Sequence, residues 1–302
     1  MPGRRNLEKA VQIRGRHRIR TRVHPKEVSP NPRELAACAE VAGSKRALQD
    51  QLTVLRRDHD DLQRTMYEAV QVQRKLCGPR LIRCPPFEIA GEIFPVSHLS
   101  GDFLCVLEFD GNVVLAIGDI GGKGLSAGMW FTHIVGMVRL HIARLGSPAA
   151  ALAAINRDLL QTRLEIPLTS LFLARVALST AEITYCNAGH PPALLFGRHR
   201  PTENLQEGGP LLGALAGASF VDGHTTLRPG DTLLAYSDGI VECRNEKDVE
   251  FGAEQLLAAA QCSHISTANS VLFSVLGAVE DYAGNLPRED DMALIVVRQA
   301  DE

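Results

Sequence analysis

Acidic residues mark the ends of four apolar runs in this sequence. They are Asp102, Asp119, Asp238 and Asp290, and three of the four motifs contain glycine. One such residue is typical of a turn, because Asp and Gly favour turns. Four carboxylates that converge would repel one another, and a bound cation relieves that repulsion. Since these motifs offer only oxygen ligands, the sequence predicts Mg²⁺ or Mn²⁺ rather than zinc or copper.

The chemistry that fits such a site is hydrolysis of a phosphate ester. Few protein ligands per ion leave water coordinated, and a water between two ions loses a proton at neutral pH. The ions also neutralise charge on the phosphoryl oxygens. The sequence therefore predicts a metal-dependent phosphatase.

The stretch VVLAIGDIGGKGLSAG, residues 113–128, also imitates a nucleotide-binding loop. A dinucleotide fold needs an acidic residue about 20 positions beyond the glycines, and MVRLHIARLGSP has none. A P-loop needs Ser or Thr after Gly-Lys, whereas Lys123 is followed by Gly124. Both interpretations fail on context.

Short apolar runs separated by turn residues predict the strands 87–93, 103–109, 112–119, 170–178, 182–187, 191–196, 231–236 and 292–298. Longer helical patterns cover 125–144, 147–162, 252–261 and 267–283. Strands often follow strands directly, which favours antiparallel sheets over a doubly wound parallel sheet. We expect one domain over residues 85–299.

The chain before this domain divides into two parts. Residues 1–33 carry ten Arg or Lys against two Glu and are expected to be a disordered, solvated tail. Residues 34–77 predict a long helix, with a heptad seam at Leu48, Leu52, Leu55, His59, Leu62, Met66, Ala69, Gln73 and Leu76. This seam is expected to pack either on the globular domain or on the same helix of a second chain. The second alternative would give a homodimer through residues 44–77.

Several classes are excluded by composition. No uncharged apolar stretch reaches the roughly 18 residues of a membrane span, and no secretory signal is evident. The seven cysteines include no C-x-x-C, which favours reduced thiols in a cytoplasmic protein. No aromatic residue lies among the tail arginines, so no nucleic-acid partner is expected.

Five ordered motifs resemble the type 2C (PPM) metal-dependent serine/threonine phosphatases, in particular their SpoIIE/RsbU branch: SGDF, GDIGGKGLSAG, NAGHPPALL, LRPGDTLLAYSDGIVE and EDDMALIVVR. The resemblance implies an α+β fold, an αββα sandwich of two antiparallel sheets flanked by helices. It also implies two Mn²⁺ or Mg²⁺ ions and a metal-bound water as nucleophile.

Carried over by position, the resemblance assigns Asp119 as the residue that bridges both ions. Asp238 and Asp290 complete one site, and Asp102 with the Ile120 carbonyl contributes to the other. The residues that would support these ligands without touching the ions are Gly121, Asp291 and His190.

Three positions leave questions open. His190 is either a general acid or a residue of a structural turn. Ser100 stands where this branch usually has Gly, and Ala293 stands where Thr is common. All the metal carboxylates are present, so we expect an active enzyme.

The resemblance further implies the substrate, a phosphorylated anti-anti-sigma regulator of the STAS type. The alternative function is a binding or scaffold module of the same fold, catalytically weak, in a partner-switching pathway.

Overall fold

The computed structural model describes residues 31–96, 99–162, 164–261 and 267–300. The chain divides into two units, one ending at His59 and the other beginning at Asp60. Within these ranges no helix is both long and apolar enough to cross a membrane. The predicted basic tail, 1–33, lies outside the described residues except for its last three positions.

The first element is the long helix α1, Pro32–Cys77. Leu48, Leu52 and Leu55 of the predicted seam are exposed along it. Near its end, Gln73 is buried and its side-chain amide donates to the Ser100 carbonyl at 3.0 Å. The last turns of the seam therefore pack on the domain, and a coiled coil through the exposed part stays a prediction.

Twelve strands follow in the described chain: β1 (Leu81–Cys84), β2 (Phe87–Phe94), β3 (Asp102–Phe109), β4 (Asn112–Ile120), β5 (Thr169–Ala177), β6 (Glu182–Ala188), β7 (Ala193–Gly197), β8 (Arg200–Leu205), β9 (Gly208–Gly209), β10 (Gly223–Thr226), β11 (Thr232–Tyr236) and β12 (Met292–Gln299). One sheet has the order β1-β2-β12-β11-β7-β8, and the other has the order β10-β6-β5-β4-β3. The pairs along both orders are antiparallel, and the short β9 pairs in parallel with β6.

The remaining helices are α2 (Leu125–Leu145), α3 (Pro148–Gln161), α4 (Asp238–Val241), α5 (Gly252–Gln261) and α6 (Ala268–Ala283). Strand β12 shows how the layers stack, because its side chains alternate between two cores. Ala293, Ile295 and Val297 join the core that contains both sheets with α2 and α3. Met292, Leu294 and Val296 join the core formed with α5 and α6. The layers are therefore helix, sheet, sheet, helix, which confirms the predicted αββα sandwich.

The structure contains strands that the apolar runs did not predict. β8 has the polar sequence RPTENL and lies at the edge of its sheet, and β10, GHTT, is at the edge of the other. A half-exposed edge strand needs no apolar run, because pairing with its neighbour supplies its hydrogen bonds. The strand predicted at 191–196 begins only at Ala193, since the preceding prolines lack the N–H that a ladder requires.

Candidate active site

Two of the predicted metal carboxylates lie opposite each other in the sheet. β3 begins at Asp102 and β4 ends at Ile120, and the antiparallel register pairs Asp102 with Asp119. Directly opposed residues of an antiparallel pair have Cβ atoms about 5 Å apart. The pairing therefore brings these two carboxylates together at one end of the sandwich.

The other two predicted carboxylate ligands lie beside strand ends of the other sheet, which contains β11 and β12. Asp238 begins α4 directly after β11, and Asp290 lies just before β12. Ser237 fastens these strand ends, because its N–H donates to the Ala293 carbonyl at 3.0 Å and its hydroxyl accepts from the Ala293 N–H at 2.8 Å. Ser237 also lowers the pKa of Asp102, which places its side chain near a carboxylate at the end of the other sheet.

Two glycines allow the backbone to approach closely at this point. A Cβ on Gly101 would lie 3.0 Å from the Ile120 carbonyl oxygen and 3.2 Å from Asp119 Oδ1. A Cβ on Gly239 would lie 2.0 Å from the carbonyl oxygen of Asp291, which no side chain tolerates. Packing therefore requires glycine at position 239, and a side chain at position 101 would force its neighbours to move by a few tenths of an ångström.

The carboxylates interact electrostatically. Burial, and after it the charges of Asp238, Asp290 and Asp291, together raise the pKa of Asp119 from 3.8 to about 6. Burial also raises the pKa of Asp102 well above its usual range, against the hydrogen bond from Ser237. Asp119, Asp291 and Asp238 add to the rise at Asp102. The predicted metal carboxylates therefore repel one another electrostatically.

An observation on Asp102 tests whether this set suits a cation. Asp102 is 3% exposed, and its Oδ2 has no hydrogen-bond partner among the described residues. A buried carboxylate oxygen without a partner is costly, and coordination to a divalent ion removes that cost. The oxygen-only donors around Asp102 and Asp119 therefore fit Mg²⁺ or Mn²⁺.

The carboxylates are near one another without forming a closed cage. Within the described residues, no three His, Cys, Asp or Glu side chains are arranged to hold a metal ion. Asp290 is the outermost of the set, with a side chain 57% exposed, and its Oδ1 lies 3.6 Å from Lys123 Nζ. Like charges keep such groups apart. The four predicted carboxylate ligands therefore lie at one end of the sandwich, and Asp290 is the most exposed of them.

Asp291 differs from Asp290 in its contacts. Its two carboxylate oxygens accept hydrogen bonds from Val96, Ser100 and Gly101. Asp291 therefore holds backbone in place.

His190 lies in a buried turn. Its N–H donates to the Asn187 side chain at 2.7 Å, and its Nδ1 lies 2.8 Å from the Ser170 hydroxyl. Burial lowers the pKa of His190 to about 3, so the ring is neutral at physiological pH. The same Ser170 hydroxyl accepts from the Asp119 N–H at 3.3 Å, which connects the turn to the end of β4.

The remaining predicted supporting residue, Gly121, is held from outside the cluster. Its N–H donates to the Leu168 carbonyl at 2.9 Å, just before β5. Sequence reasoning assigned no role to Ser237, Ser170 or Gly101, although Ser237 and Gly101 adjoin the acidic residues in the quoted motifs. Ser237 and Gly101 could have been found only because each is next to a predicted ligand in the sequence. No feature of the sequence pointed to Ser170.

Comparison with known proteins gives consistent results. The sequence profile of the Stage II sporulation protein E (SpoIIE) family matches residues 110–300. Phosphoserine phosphatase RsbU of Bacillus subtilis is 24% identical over 238 residues, covering 76% of this chain and 69% of RsbU. The SiaA-PP2C domain of Pseudomonas aeruginosa has a TM-score of 0.69 at 15% identity, covering 80% of this chain and 98% of that domain. RsbX, solved in complex with magnesium, has a TM-score of 0.56 at 13% identity, covering 73% and 98%.

The layered sheets and the acidic strand ends define the fold class as that of PP2C phosphatases. Because the family profile covers more than half of the sequence, the chain belongs to the SpoIIE family. The predicted class, a protein serine/threonine phosphatase of the SpoIIE/RsbU branch, is confirmed.

Proposed function

We propose that this chain removes phosphate from phosphoserine or phosphothreonine of a regulatory protein in a reaction that requires two Mn²⁺ or Mg²⁺ ions. The observation that carries the proposal is the buried Asp102, paired in register with Asp119, whose Oδ2 has no partner among the described residues. A ligand of opposite charge that satisfies this oxygen removes the cost of burying it.

Different residues of the chain would bind each of the two ions. Asp119 would bind both, Asp102 and the Ile120 carbonyl would bind one, and Asp238 with Asp290 would bind the other. When bound, such ions supply an activated water and neutralise charge on the phosphoryl oxygens.

The residues around these ligands orient them. Ser237 lowers the pKa of Asp102 and ties β11 to β12 through its hydrogen bond with Ala293. Ser170 holds the backbone of Asp119. His190 is buried and neutral, so its role is to close the turn that positions Ser170 rather than to donate a proton. Lys123, close to Asp290, places a positive charge at the rim, where a phosphate would arrive.

The proposed substrate is a serine-phosphorylated STAS-type anti-anti-sigma factor, on the resemblance of the motifs to the SpoIIE/RsbU branch. Removal of its phosphate would allow that factor to bind its anti-sigma partner. The name of RsbU, a phosphoserine phosphatase, supports phosphoserine as the reacting group.

The test is hydrolysis of p-nitrophenyl phosphate, a phosphoserine peptide and a phosphorylated STAS-domain protein, each with Mn²⁺, Mg²⁺ or EDTA. We expect turnover only with metal, and Asp119→Asn should lower kcat by about 100-fold or more, since an ion that binds its ligands poorly loses several kcal/mol of transition-state stabilisation. Asp281→Asn, at an exposed position of α6, is the matched control and should keep full turnover.

The outcomes separate the proposal from its alternative. Metal-independent turnover, or full activity of Asp119→Asn, would refute the two-metal site. Folded protein without turnover on any substrate would favour the binding module. Turnover on the peptide but not on the STAS-domain protein would refute that substrate while retaining the phosphatase.

A further inference from the structure

The Asp291 carboxylate accepts three hydrogen bonds from the lead-in segment, defined as residues 96 and 99–101. Oδ1 accepts from the Val96 N–H at 2.7 Å. Oδ2 accepts from the Ser100 hydroxyl at 2.8 Å and from the Gly101 N–H at 2.9 Å. Hydrogen bonds to a charged acceptor are about twice as strong as neutral ones. One carboxylate thus holds this segment through both main chain and side chain.

The lead-in segment lies directly against the proposed ligands. Gly101 accepts a hydrogen bond from the Ile120 N–H at 3.2 Å. The space where its Cβ would be lies 3.0 Å from the Ile120 carbonyl oxygen and 3.2 Å from Asp119 Oδ1. Since Asp102 is the next residue, a shift of Gly101 changes the distance between Asp102 and the groups opposite it.

Ser100 gives this chain a contact that glycine at the same position would lack. The residue is buried, its hydroxyl donates to Asp291, and its carbonyl accepts from the Gln73 amide at 3.0 Å. Its backbone is held by α1 and its side chain by Asp291. A glycine here would keep the first contact and lose the second.

We propose that Asp291 is a positioning residue that sets the metal affinity of the Asp102 side of the site, with the Ser100 hydroxyl as its partner. Asp291 acts through the lead-in segment, because three of its roughly four lone-pair sites already accept hydrogen bonds from that segment. The inference rests on the proposed two-metal site and adds to it the group that fixes its geometry.

The experiment is a calorimetric titration of Mn²⁺ into the full chain and its variants. Asp291→Asn keeps the size of the side chain but replaces one acceptor oxygen by an NH₂ group, which then faces a donor. We expect Asp291→Asn to weaken Mn²⁺ binding by about tenfold or more, as loss of an outer hydrogen-bonding partner does in other metal sites. Ser100→Ala should give a smaller loss in the same direction.

The double variant tests whether the two residues act as one unit. If Ser100 acts through Asp291, Ser100→Ala with Asp291→Asn should bind Mn²⁺ no more weakly than Asp291→Asn alone. A merely destabilising pair of substitutions would instead give additive losses. Additive losses would therefore overturn the role given to Ser100.

The remaining controls keep the inference separate from the proposed function. Asp281→Asn should bind Mn²⁺ like the parent, and urea unfolding of each metal-free variant shows whether it is folded. Parent-like affinity in folded Asp291→Asn would overturn the inference alone. If Asp291→Asn does not fold, Ser100→Ala and Ser100→Gly decide, and parent-like affinity in both overturns it. A parent that binds no Mn²⁺ would overturn the metal site and this inference with it.

Discussion

The metal-free protein should be destabilised by its own Asp119. Burial, with the charges of Asp238, Asp290 and Asp291, raises the pKa of this carboxyl from 3.8 to about 6. A folded-state pKa above the unfolded value means that the favourable contribution is fully present below about pH 3.8. It is lost as pH rises through about 6. At neutral pH the folded chain therefore carries a charge that it disfavours.

The size of the effect follows from that displacement. The difference between 3.8 and about 6 corresponds to about 3 kcal/mol of unfolding free energy at most, and screening by solvent at this partly exposed group lowers it to about 2 kcal/mol. Asp119→Asn removes the charge with almost no change in volume. The unfolding free energy of the variant minus that of the parent should therefore rise by about 2 kcal/mol between about pH 4 and about pH 8.

Urea unfolding in EDTA at a series of pH values measures this difference directly. Titrating groups far from Asp119 cancel in the subtraction, whereas Asp102, whose pKa the Asp119 charge raises, does not. Asp281→Asn, exposed on α6, should give a difference that does not change with pH. Mn²⁺ at about pH 8 should reverse the order, because binding to the folded state stabilises the parent more than the variant. A flat difference for Asp119→Asn over the whole range would refute the electrostatic reasoning.

Three further predictions concern other parts of the chain. Leu55→Asp with Leu62→Asp should turn a dimer into a monomer in analytical ultracentrifugation, because it places charges in the exposed seam. Gly239→Ala should lower both unfolding free energy and turnover, because its Cβ would lie 2.0 Å from the Asp291 carbonyl. Deleting residues 1–33 should leave turnover of p-nitrophenyl phosphate unchanged, since none of the proposed metal ligands lies among them.

Each of these predictions has a clear contrary result. An unchanged mass for the seam variant, whether monomer or dimer, would exclude association through the seam. Gly277→Ala is the control for Gly239, because Gly277 is an exposed helical position with nothing within 4 Å of its Cβ. It should stabilise the protein by about 0.5–1 kcal/mol. Equal effects of the two alanines would contradict the packing argument, and a large loss of turnover on deletion would give the tail a role.

Much of the fold could be predicted because its central strands are buried on both faces. β4 and β12 read as continuous apolar runs, and their ends are marked by Asp119 and Asp291, so element and boundary followed from local sequence. The edge strands β8 and β10 could not be found in this way, because their stability comes from a neighbouring strand. Likewise, the helical pattern of α1 predicted a seam but not which part of it packs on the domain.

By itself, the sequence determined which residues could serve as oxygen ligands and that they stand at strand ends, because residue type and apolar runs are local properties. Only the tertiary structure decided which of them face one another. The register of β3 with β4 opposes Asp102 to Asp119, and Asp291 binds Ser100 across 191 positions of chain. Such contacts depend on the order and stagger of strands in two sheets. That arrangement is fixed by packing of the whole core, so no short stretch of sequence encodes it.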